Sequence, residues 1–364
     1  MARIDKLLEI VRSADASDLH LVGGSVPMVR VRGQLEKTHH RRLSSDDVKQ
    51  LIYELLSDEQ IDAFEENGDL DFAYGIPGAA RFRLNIYRTY EGIAASIRLI
   101  PQNILTLDEL GFSDAVSRLA ETKSGLVLVT GPTGSGKTTT LASMVDHINT
   151  NFSRHVISLE DPIEYIHHDK NSLVSQRQIG MHARSFASAL RAALREDPDV
   201  ILVGEMRDLE TISLAVTAAE IGLLVMGTLH TNTAAATVER IVDVFPSEAQ
   251  SQIRIMLADS LVGIVAQQLL RRADGYGRVV GYELMLQTTP IANMIRERKT
   301  FQIPTAIQTG SKQGMQLLDN HLRELVENGI VTPGEAMRFA TSPAQFNDLV
   351  AREKVKPVAA QTRN

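Results

Sequence analysis

The strongest constraint on the fold is a glycine-rich loop between an apolar strand and a helix. Residues 131–138 read GPTGSGKT and match the pattern G-x-x-x-x-G-K-[ST]. The apolar run Leu126–Thr130 precedes the loop, and a helical pattern follows it. In such a loop backbone N–H groups surround a phosphate, and the positive N-terminus of the helix points at it. The sequence therefore predicts a nucleotide-binding α/β fold.

The loop supplies the predicted nucleotide-binding residues. We expect the Lys137 ammonium to reach the β- and γ-phosphates and the Thr138 hydroxyl to ligate Mg²⁺. ATP and Mg²⁺ are therefore the expected cofactors. The whole predicted set from the loop is Thr133, Gly134, Ser135, Gly136, Lys137, Thr138 and Thr139.

The second part of the chain, residues 113–364, alternates strands with helices. Continuous apolar strands joined by crossover helices indicate a parallel sheet that is buried on both faces. After Pro290 the pattern is helical to about residue 350, and the last residues, 351–364, are polar and expected to be frayed. The predicted strands are Leu126–Thr130, Val156–Leu159, Val200–Val203, Leu224–Thr228 and Val279–Leu284.

Residues 1–100 have a different pattern, which predicts a small α+β domain with an antiparallel sheet. Helices are expected at Ile4–Ser13 and, as one longer helix, at Asp46–Glu65. The turn residues Asn67-Gly68 end the helical pattern, and Ile76-Pro77-Gly78 marks another turn. Residues 101–112 form the predicted linker. The predicted strands are Asp18–Val22, Met28–Arg32, Asp69–Tyr74, Arg81–Tyr87 and Ile93–Ile100.

Three carboxylates follow the strand at Val156–Leu159, namely Glu160, Asp161 and Glu164. Ligands of doubly wound sheets bind at the carboxyl ends of strands, so a carboxylate here can orient or deprotonate an attacking water. A solvated acidic loop is the alternative. The residues alone leave open which carboxylate would be the base.

Two further strands end in polar residues. The apolar run Val200–Val203 leads to Glu205, which is the layout of a Walker B acid that holds Mg²⁺ directly or through water. The next strand ends at His230, which can donate a hydrogen bond to a γ-phosphate and so sense its hydrolysis. A structural role is the alternative for a single histidine.

Three arginines of the N-terminal domain are also candidates. Arg81 and Arg83 share one face of a strand, because side chains two residues apart point the same way, and Arg98 lies on the following strand. Guanidinium groups bind phosphate in bidentate fashion, so these residues could reach a nucleotide from the same or a neighbouring subunit. A solvated face is the alternative.

The composition narrows the class of partner. The 364 residues carry a formal net charge of −7, which gives no overall basic field, so no nucleic-acid partner is expected. There is no cysteine, which excludes disulfides and thiolate zinc sites. The longest apolar region, Ile212–Leu229, is interrupted by Glu220 and Gly222 and indicates a buried helix running into a buried strand. We therefore expect a cytoplasmic protein without membrane insertion.

Motifs along nearly the whole chain resemble those of the secretion ATPase superfamily, and most closely those of the type IV pilus retraction motor (PilT) family. The last of them, IANMIRE, has Ala292 and Met294 where the family often has arginine and leucine. Besides the phosphate loop and the run to Glu205, the motifs are ASDLH at 16–20, RFRLN at 81–85, EDPIE at 160–164, TLHT at 228–231 and IANMIRE at 291–297.

The resemblance implies a PAS-like N-terminal domain joined to a RecA-like P-loop ATPase domain. It implies that Glu164 is the catalytic carboxylate and Glu205 the Walker B acid. It further implies a homohexamer that hydrolyses ATP and retracts type IV pili for twitching motility, acting on an inner-membrane platform protein at the pilus base. The protein would then be peripheral at the inner membrane, and an accessory retraction ATPase is a further expected partner.

Rival functions remain within and outside this superfamily, and a paralogous accessory retraction ATPase is one alternative for this chain. Extension and secretion motors usually carry a long extra N-terminal domain and a four-cysteine zinc loop, neither of which this sequence shows. A hexameric helicase or DNA translocase belongs to another class, and the acidic net charge argues against it. A non-enzymatic nucleotide switch would not need the full set of catalytic positions.

Overall fold

The computed structural model describes residues 3–14, 16–31, 34–76, 80–100 and 103–350. The chain forms two compact units, Met1–Asn103 with Pro162–Ile166, and Ile104–Asp161 with His167–Asn364. Arg32, the predicted turn at Pro77-Gly78, Pro101 of the predicted linker and the predicted frayed tail at 351–364 lie outside the described residues.

The smaller unit contains a six-stranded sheet in which every pairing is antiparallel, as predicted. The strand order is β3-β2-β1-β6-β5-β4. Its apolar core includes Leu19, Phe64, Phe82 and Ile97, which are fully buried. The strands are β1 (Ala16–Val22), β2 (Met28–Val31), β3 (Gln34–Lys37), β4 (Asp69–Ile76), β5 (Ala80–Thr89) and β6 (Gly92–Ile100), and the helices are α1 (Asp5–Ser13), α2 (Ser45–Tyr53) and α3 (Asp58–Asn67).

The prediction of one long helix at Asp46–Glu65 was wrong, because the chain forms two helices there. Helix α3 begins anew at Ser57, whose hydroxyl accepts the N–H of Gln60, while the Gln60 side chain accepts the N–H of Ser57. This capping box satisfies N–H groups that a continuous helix would have paired internally. The exposed strand β3 was also not predicted, since its sequence QLEK shows little apolar patterning.

The larger unit contains a seven-stranded sheet in the order β13-β12-β7-β11-β10-β8-β9. All pairings are parallel except that of β12 with β13. The central strands are buried along their whole length, as expected for a sheet covered on both faces. The strands are β7 (Gly125–Thr130), β8 (His155–Glu160), β9 (Leu173–Gln178), β10 (Val200–Val203), β11 (Leu224–Leu229), β12 (Leu261–Arg271) and β13 (Arg278–Leu286).

The edge of this sheet differs from the prediction. The strand predicted at Val279–Leu284 exists but is antiparallel, because it pairs with β12 in a hairpin whose loop spans residues 272–277. The hairpin turns at Gly275 and Gly277, both with positive φ, where glycine has no steric penalty. Strands β9 and β12 were not predicted.

Ten helices of the larger unit are described. The region Ile212–Leu229 is a buried helix followed by a buried strand, as predicted. Among the described residues, no helix is both long and apolar enough to cross a membrane. The helices are α4 (Asp114–Glu121), α5 (Lys137–Asn151), α6 (Phe186–Ala193), α7 (Leu209–Glu220), α8 (Ala234–Asp243), α9 (Gln250–Ser260), α10 (Thr289–Arg296), α11 (Ile303–Thr309), α12 (Leu318–Glu327) and α13 (Pro333–Phe339).

The strand order places the predicted motifs of this unit at one edge of the sheet. Strands β7, β11, β10 and β8 are consecutive neighbours and run parallel. Their carboxyl ends lead into the phosphate loop, His230, Glu205 and Glu160, respectively. Four segments that are far apart in sequence therefore begin at adjacent strand ends.

Candidate nucleotide-binding site

The glycine-rich loop has a backbone that only glycine fits at its first position. Gly131 has φ +145°, and a Cβ atom there would lie 2.3 Å from the Gln267 carbonyl oxygen and 2.5 Å from Ser135 Oγ. At the other end, Gly136 is the N-cap of α5 with φ +88°. The loop is thus a tight ring of backbone that closes onto the N-terminus of a helix, which is the arrangement that binds a phosphate.

Lys137 is buried inside this loop. Its ammonium donates hydrogen bonds to the carbonyl oxygens of Gly131 at 2.8 Å and Pro132 at 3.0 Å. Burial lowers its pKa, and the negative charge of Glu205 opposes that shift. Two neutral carbonyl groups are weak partners for a buried cation, so an anion entering the loop gains a charge-assisted contact.

Two buried polar atoms without hydrogen-bond partners also indicate a phosphate site. Ser135 Oγ is buried and has no hydrogen-bond partner among the described residues, and the same is true of Thr130 Oγ1. Buried hydroxyl groups without partners are costly, so the loop has hydrogen-bonding capacity that a phosphate can use. The residues present therefore fit the phosphate groups of a nucleotide.

Gln267 of β12 fixes the loop from outside, and the sequence analysis missed it. Its amide Nε2 donates to the Ser135 carbonyl oxygen at 2.7 Å, and its Oε1 accepts from Thr140 Oγ1 at 2.9 Å. The side chain is 2% exposed. A polar residue within the apolar run 261–270 was a signal that could have identified it, since buried amides need partners.

Glu205 and His230 contact each other at the ends of neighbouring strands. Glu205 Oε1 lies 2.8 Å from His230 Nε2 and also accepts a hydrogen bond from Arg207. Burial would raise the pKa of Glu205, but the hydrogen bonds from Arg207 and His230 outweigh it and the pKa lies below its usual value. Glu205 is therefore an ionised carboxylate, as a metal-binding or water-orienting role requires.

A cavity of about 610 Å³ joins these residues to the phosphate loop. Thr133 of the loop, Glu205 and His230 all line it. Its walls also include Arg207 and Arg240, which the sequence analysis did not select as site residues. The two arginines make the cavity suited to an anionic ligand.

A second cavity of about 200 Å³ lies on another side of the loop. Gly136 and Thr139 line it together with apolar residues that include Phe112 and Leu269. Thr139 therefore faces a largely apolar pocket, which suits the uncharged part of a nucleotide.

A metal ion would find few protein ligands here. Thr138 is exposed in the first turn of α5, and Glu205 is partly exposed. The described residues contain no group of three histidine or acidic side chains arranged to hold a metal. Mg²⁺ usually keeps waters and substrate phosphates as ligands, so these two side chains fit a magnesium ion that arrives with a nucleotide.

Glu160 is held firmly at the end of β8. Its Oε1 accepts from Ser158 Oγ at 2.7 Å and from Gln176 Nε2 at 3.1 Å, and the residue is 9% exposed. These contacts restrain its carboxylate on the sheet.

The remaining predicted residues belong to the smaller unit. Arg83 Nη1 lies 3.2 Å from Glu164 Oε1, and Arg81 donates twice to the Ile163 carbonyl oxygen. Arg98 lies opposite Arg83 in the sheet. Arg81 and Arg83 thus contact Ile163 and Glu164 within the smaller unit, and the phosphate-binding role of all three arginines stays a prediction.

Arg98 has a partner of its own within the smaller unit. Its Nε donates to Asp18 Oδ1 at 2.9 Å, while its side chain remains 70% exposed. Burial would raise the pKa of Asp18, but hydrogen bonds from Ser17 and Arg98 lower it overall. The ASDLH motif is therefore linked to Arg98 of β6 by a charged hydrogen bond.

Comparison with known proteins places this site in a family. The family model described as type II/IV secretion system protein matches residues 1–328. The type IV pilus retraction ATPase PilT of Pseudomonas aeruginosa is 48% identical over 94% of this chain and 99% of its own length. A twitching motility protein of Neisseria gonorrhoeae is 47% identical over 86% of this chain and 84% of its own length.

A solved structure supports the same family assignment. The crystal structure of the pilus retraction motor PilT with bound ADP has a TM-score of 0.87 and 45% identity, and the alignment covers 95% of this chain and 98% of that one. The chain therefore belongs to the type II/IV secretion system protein family, with a RecA-like P-loop ATPase unit.

Proposed function

We propose that this protein is an ATPase motor that couples ATP hydrolysis to type IV pilus retraction, and hence to twitching motility. One observation carries the proposal: Glu205 and His230 hydrogen-bond each other and line one cavity with Thr133 of the phosphate loop. A carboxylate and an imidazole beside the phosphate loop are placed to respond to the terminal phosphate. The similarity to retraction motors supplies the coupled process.

The residues of the loop would bind the nucleotide phosphates. Lys137 would exchange its two carbonyl partners for phosphate oxygens, and Ser135 Oγ would gain the partner that it lacks. The tight ring at Gly131 keeps the N–H groups in place, so little reorganisation is needed on binding. Mg²⁺, held by Thr138 and Glu205, would neutralise charge on the phosphates.

We assign Glu164 as the residue that orients or deprotonates the attacking water, following the family resemblance. Its hydrogen bond to Arg83 fixes the carboxylate orientation. The contacts of Glu160 to Ser158 and Gln176 favour a structural role for that carboxylate. His230 would donate a hydrogen bond to the γ-phosphate, and its hydrogen bond to Glu205 would couple that carboxylate to the presence of the phosphate.

The assembly proposed for the motor is a homohexamer with a PAS-like fold in the smaller unit. The six-stranded antiparallel sheet with flanking helices is compatible with that fold. Arg81, Arg83 and Arg98 would contribute cations to nucleotide sites at or near subunit boundaries. Mass photometry with Mg-ATP should give about six times the 40.0 kDa chain mass. A monomer that hydrolyses ATP at the full rate would contradict the ring.

The proposed partners follow from the same resemblance. The motor would be cytoplasmic and would act on an inner-membrane platform protein at the pilus base, together with an accessory retraction ATPase. The net charge of −7 gives no support to a nucleic-acid partner.

The deciding experiment measures hydrolysis and retraction with the same variants. Lys137→Ala should abolish ATP hydrolysis, because the main cation on the transferred phosphate is lost. Lys312→Ala is the matched control, since Lys312 is exposed on a short 3₁₀ helix that is not part of the loop. A retraction-deficient deletion strain should recover twitching with the wild-type chain and with Lys312→Ala but not with Lys137→Ala.

Two results would contradict the proposal in different ways. Hydrolysis by Lys137→Ala within about twofold of the wild type would remove the role assigned to the loop. Failure of an active wild-type chain to restore twitching would retain the ATPase but remove the retraction function.

A further inference from the structure

A buried glutamate outside the predicted site connects two helix N-termini. Glu283 of β13 is 5% exposed, and its Oε1 accepts the backbone N–H of Ala234 at 2.7 Å. The backbone N–H of Leu318 also lies near this carboxylate and lowers its pKa. Ala234 and Leu318 are the first residues of α8 and α12. One side chain therefore lies at the start of two helices that are far apart in sequence.

The chemistry of this contact is favourable for a carboxylate. The first N–H groups of a helix have no partner within the helix, and its N-terminus carries a partial positive charge. At α12 the N-cap residue is Leu317, whose apolar side chain cannot accept a hydrogen bond. Burial raises the pKa of Glu283, and the two N–H groups oppose that shift. The glutamate thus supplies what the local sequence of α12 lacks.

The α12 end of this contact is fixed to the same strand. Leu284 and Gln316 exchange two backbone hydrogen bonds, at 2.9 and 3.1 Å, directly before α12 begins. The strand that carries Glu283 therefore holds the start of α12 through the backbone, and the Glu283 carboxylate lies beside the first N–H of that helix.

The α8 end of the contact lies close to the candidate active site in sequence and space. Only Thr231, Asn232 and Thr233 separate His230 from Ala234. Thr233 caps α8, and Thr231 Oγ1 lies 2.7 Å from Thr237 Oγ1 within that helix. The segment after His230 is thus tied to α8, so a shift of the first turn of α8 would move the imidazole relative to Glu205.

We propose that Glu283 is a positioning residue for His230, acting through the first turn of α8 and linking that turn to helix α12. The inference rests on the proposed ATPase function of the site. The same buried carboxylate lies at the start of α12 and at the start of α8, which follows His230. A movement of α12 would therefore affect ATP hydrolysis through Glu283. In the part of the chain that the structure describes, Glu283 has no hydrogen bond to His230. It therefore acts on His230 indirectly, through Ala234.

The test uses the full-length chain with Glu283→Gln, which preserves size but removes the charge and one acceptor oxygen. The kcat for ATP should fall at least fivefold while KM changes less than twofold, since the phosphate loop is untouched. Thr332→Ala is the matched control, because the Thr332 hydroxyl accepts the N–H of Glu335 as a helix cap in α13. That variant should lose stability without a change in kcat. An unchanged kcat in Glu283→Gln would overturn the proposal.

A double-mutant cycle separates positioning from general stability. In a His230→Ala background the effect of Glu283→Gln on the single-turnover rate should largely disappear, because the residue to be positioned is gone. Independent, additive effects would overturn the proposal even if both single variants are slow. Glu283→Asp, which retains the charge, replaces Glu283→Gln if the latter does not fold, and it should show a smaller loss of kcat with the same non-additivity. A wild-type chain without ATPase activity would instead contradict the function proposed above.

Discussion

Replacing Gln267 with leucine tests how the phosphate loop is held in place. Gln267 donates to the Ser135 carbonyl oxygen and accepts from the Thr140 hydroxyl, at 2.7 and 2.9 Å. Leucine has a similar volume, so the substitution removes both hydrogen bonds without opening a large cavity. The change therefore isolates the polar contribution of one buried side chain.

The expected magnitude follows from the groups left behind. The Ser135 carbonyl loses this buried partner, which costs about 1–3 kcal/mol. The Thr140 hydroxyl lies 3.2 Å from the Gly136 carbonyl oxygen and can donate there instead, so its loss is at the low end, about 0.5 kcal/mol. We expect a total near 2 kcal/mol. If about 1.4 kcal/mol of this cost arises because the loop is disordered without ligand, ADP binding must supply that free energy to order the loop. The Kd for ADP then rises about tenfold.

The assay is a titration of the purified chain with a fluorescent ADP analogue, together with thermal unfolding. Gln287→Leu is the matched control, because Gln287 donates to the Ala258 carbonyl oxygen at 2.5 Å and lies beyond the end of β13 rather than at the loop. We expect the control to lower thermal stability while leaving the Kd for ADP within twofold of the wild type.

The role assigned to Gln267 is refuted if Gln267→Leu binds ADP as tightly as the wild type while showing the expected loss of stability. That result would mean that the loop keeps its binding conformation without the glutamine. If Gln287→Leu raised the Kd for ADP by the same factor, general destabilisation rather than loop order would set the affinity.

Three further predictions concern the carboxylates, a buried histidine and the C-terminal motif. Glu164→Ala and Glu205→Ala should each stop steady-state hydrolysis while ADP binding stays measurable, since such groups act mainly in the transition state; normal turnover by either variant would remove its assigned role. Burial lowers the pKa of His321 from 6.5 to about 4. As the pH falls, this histidine is therefore protonated in the unfolded chain before it is protonated in the folded one. Up to about 3 kcal/mol of the free energy of unfolding is lost between pH 6.5 and 4. His321→Gln should reduce that loss in denaturant unfolding at pH 7 and pH 4.5, and equal losses for both proteins would contradict the assignment. The exposed residues Arg296 and Glu297 lie at the end of α10, so the double alanine variant should fold and hydrolyse ATP yet leave cells hyperpiliated and unable to twitch, whereas normal twitching would reduce the motif to ordinary helix packing.

The sequence predicted local elements wherever the pattern was complete within a short segment. The strand before the phosphate loop and the helix after it were correct, because an apolar run and a glycine-rich turn act within a few residues. The long helix at Asp46–Glu65 failed because the restart at Ser57 depends on a reciprocal side-chain cap inside an otherwise helical pattern. Strand β12 was missed because an apolar run does not by itself distinguish a strand from a buried helix.

The site shows the same division. The sequence determined the chemistry of Lys137, Glu205 and His230, since the type of each residue and its place after a strand indicate what it can do. Only the tertiary structure decided that Glu205 and His230 touch, because their strands are neighbours in the sheet although 25 residues separate the two side chains. The partners of Gln267 and Glu283 could not be predicted for the same reason: they include backbone groups of distant segments, and a hydrogen bond to a backbone group leaves no mark on the sequence of the partner.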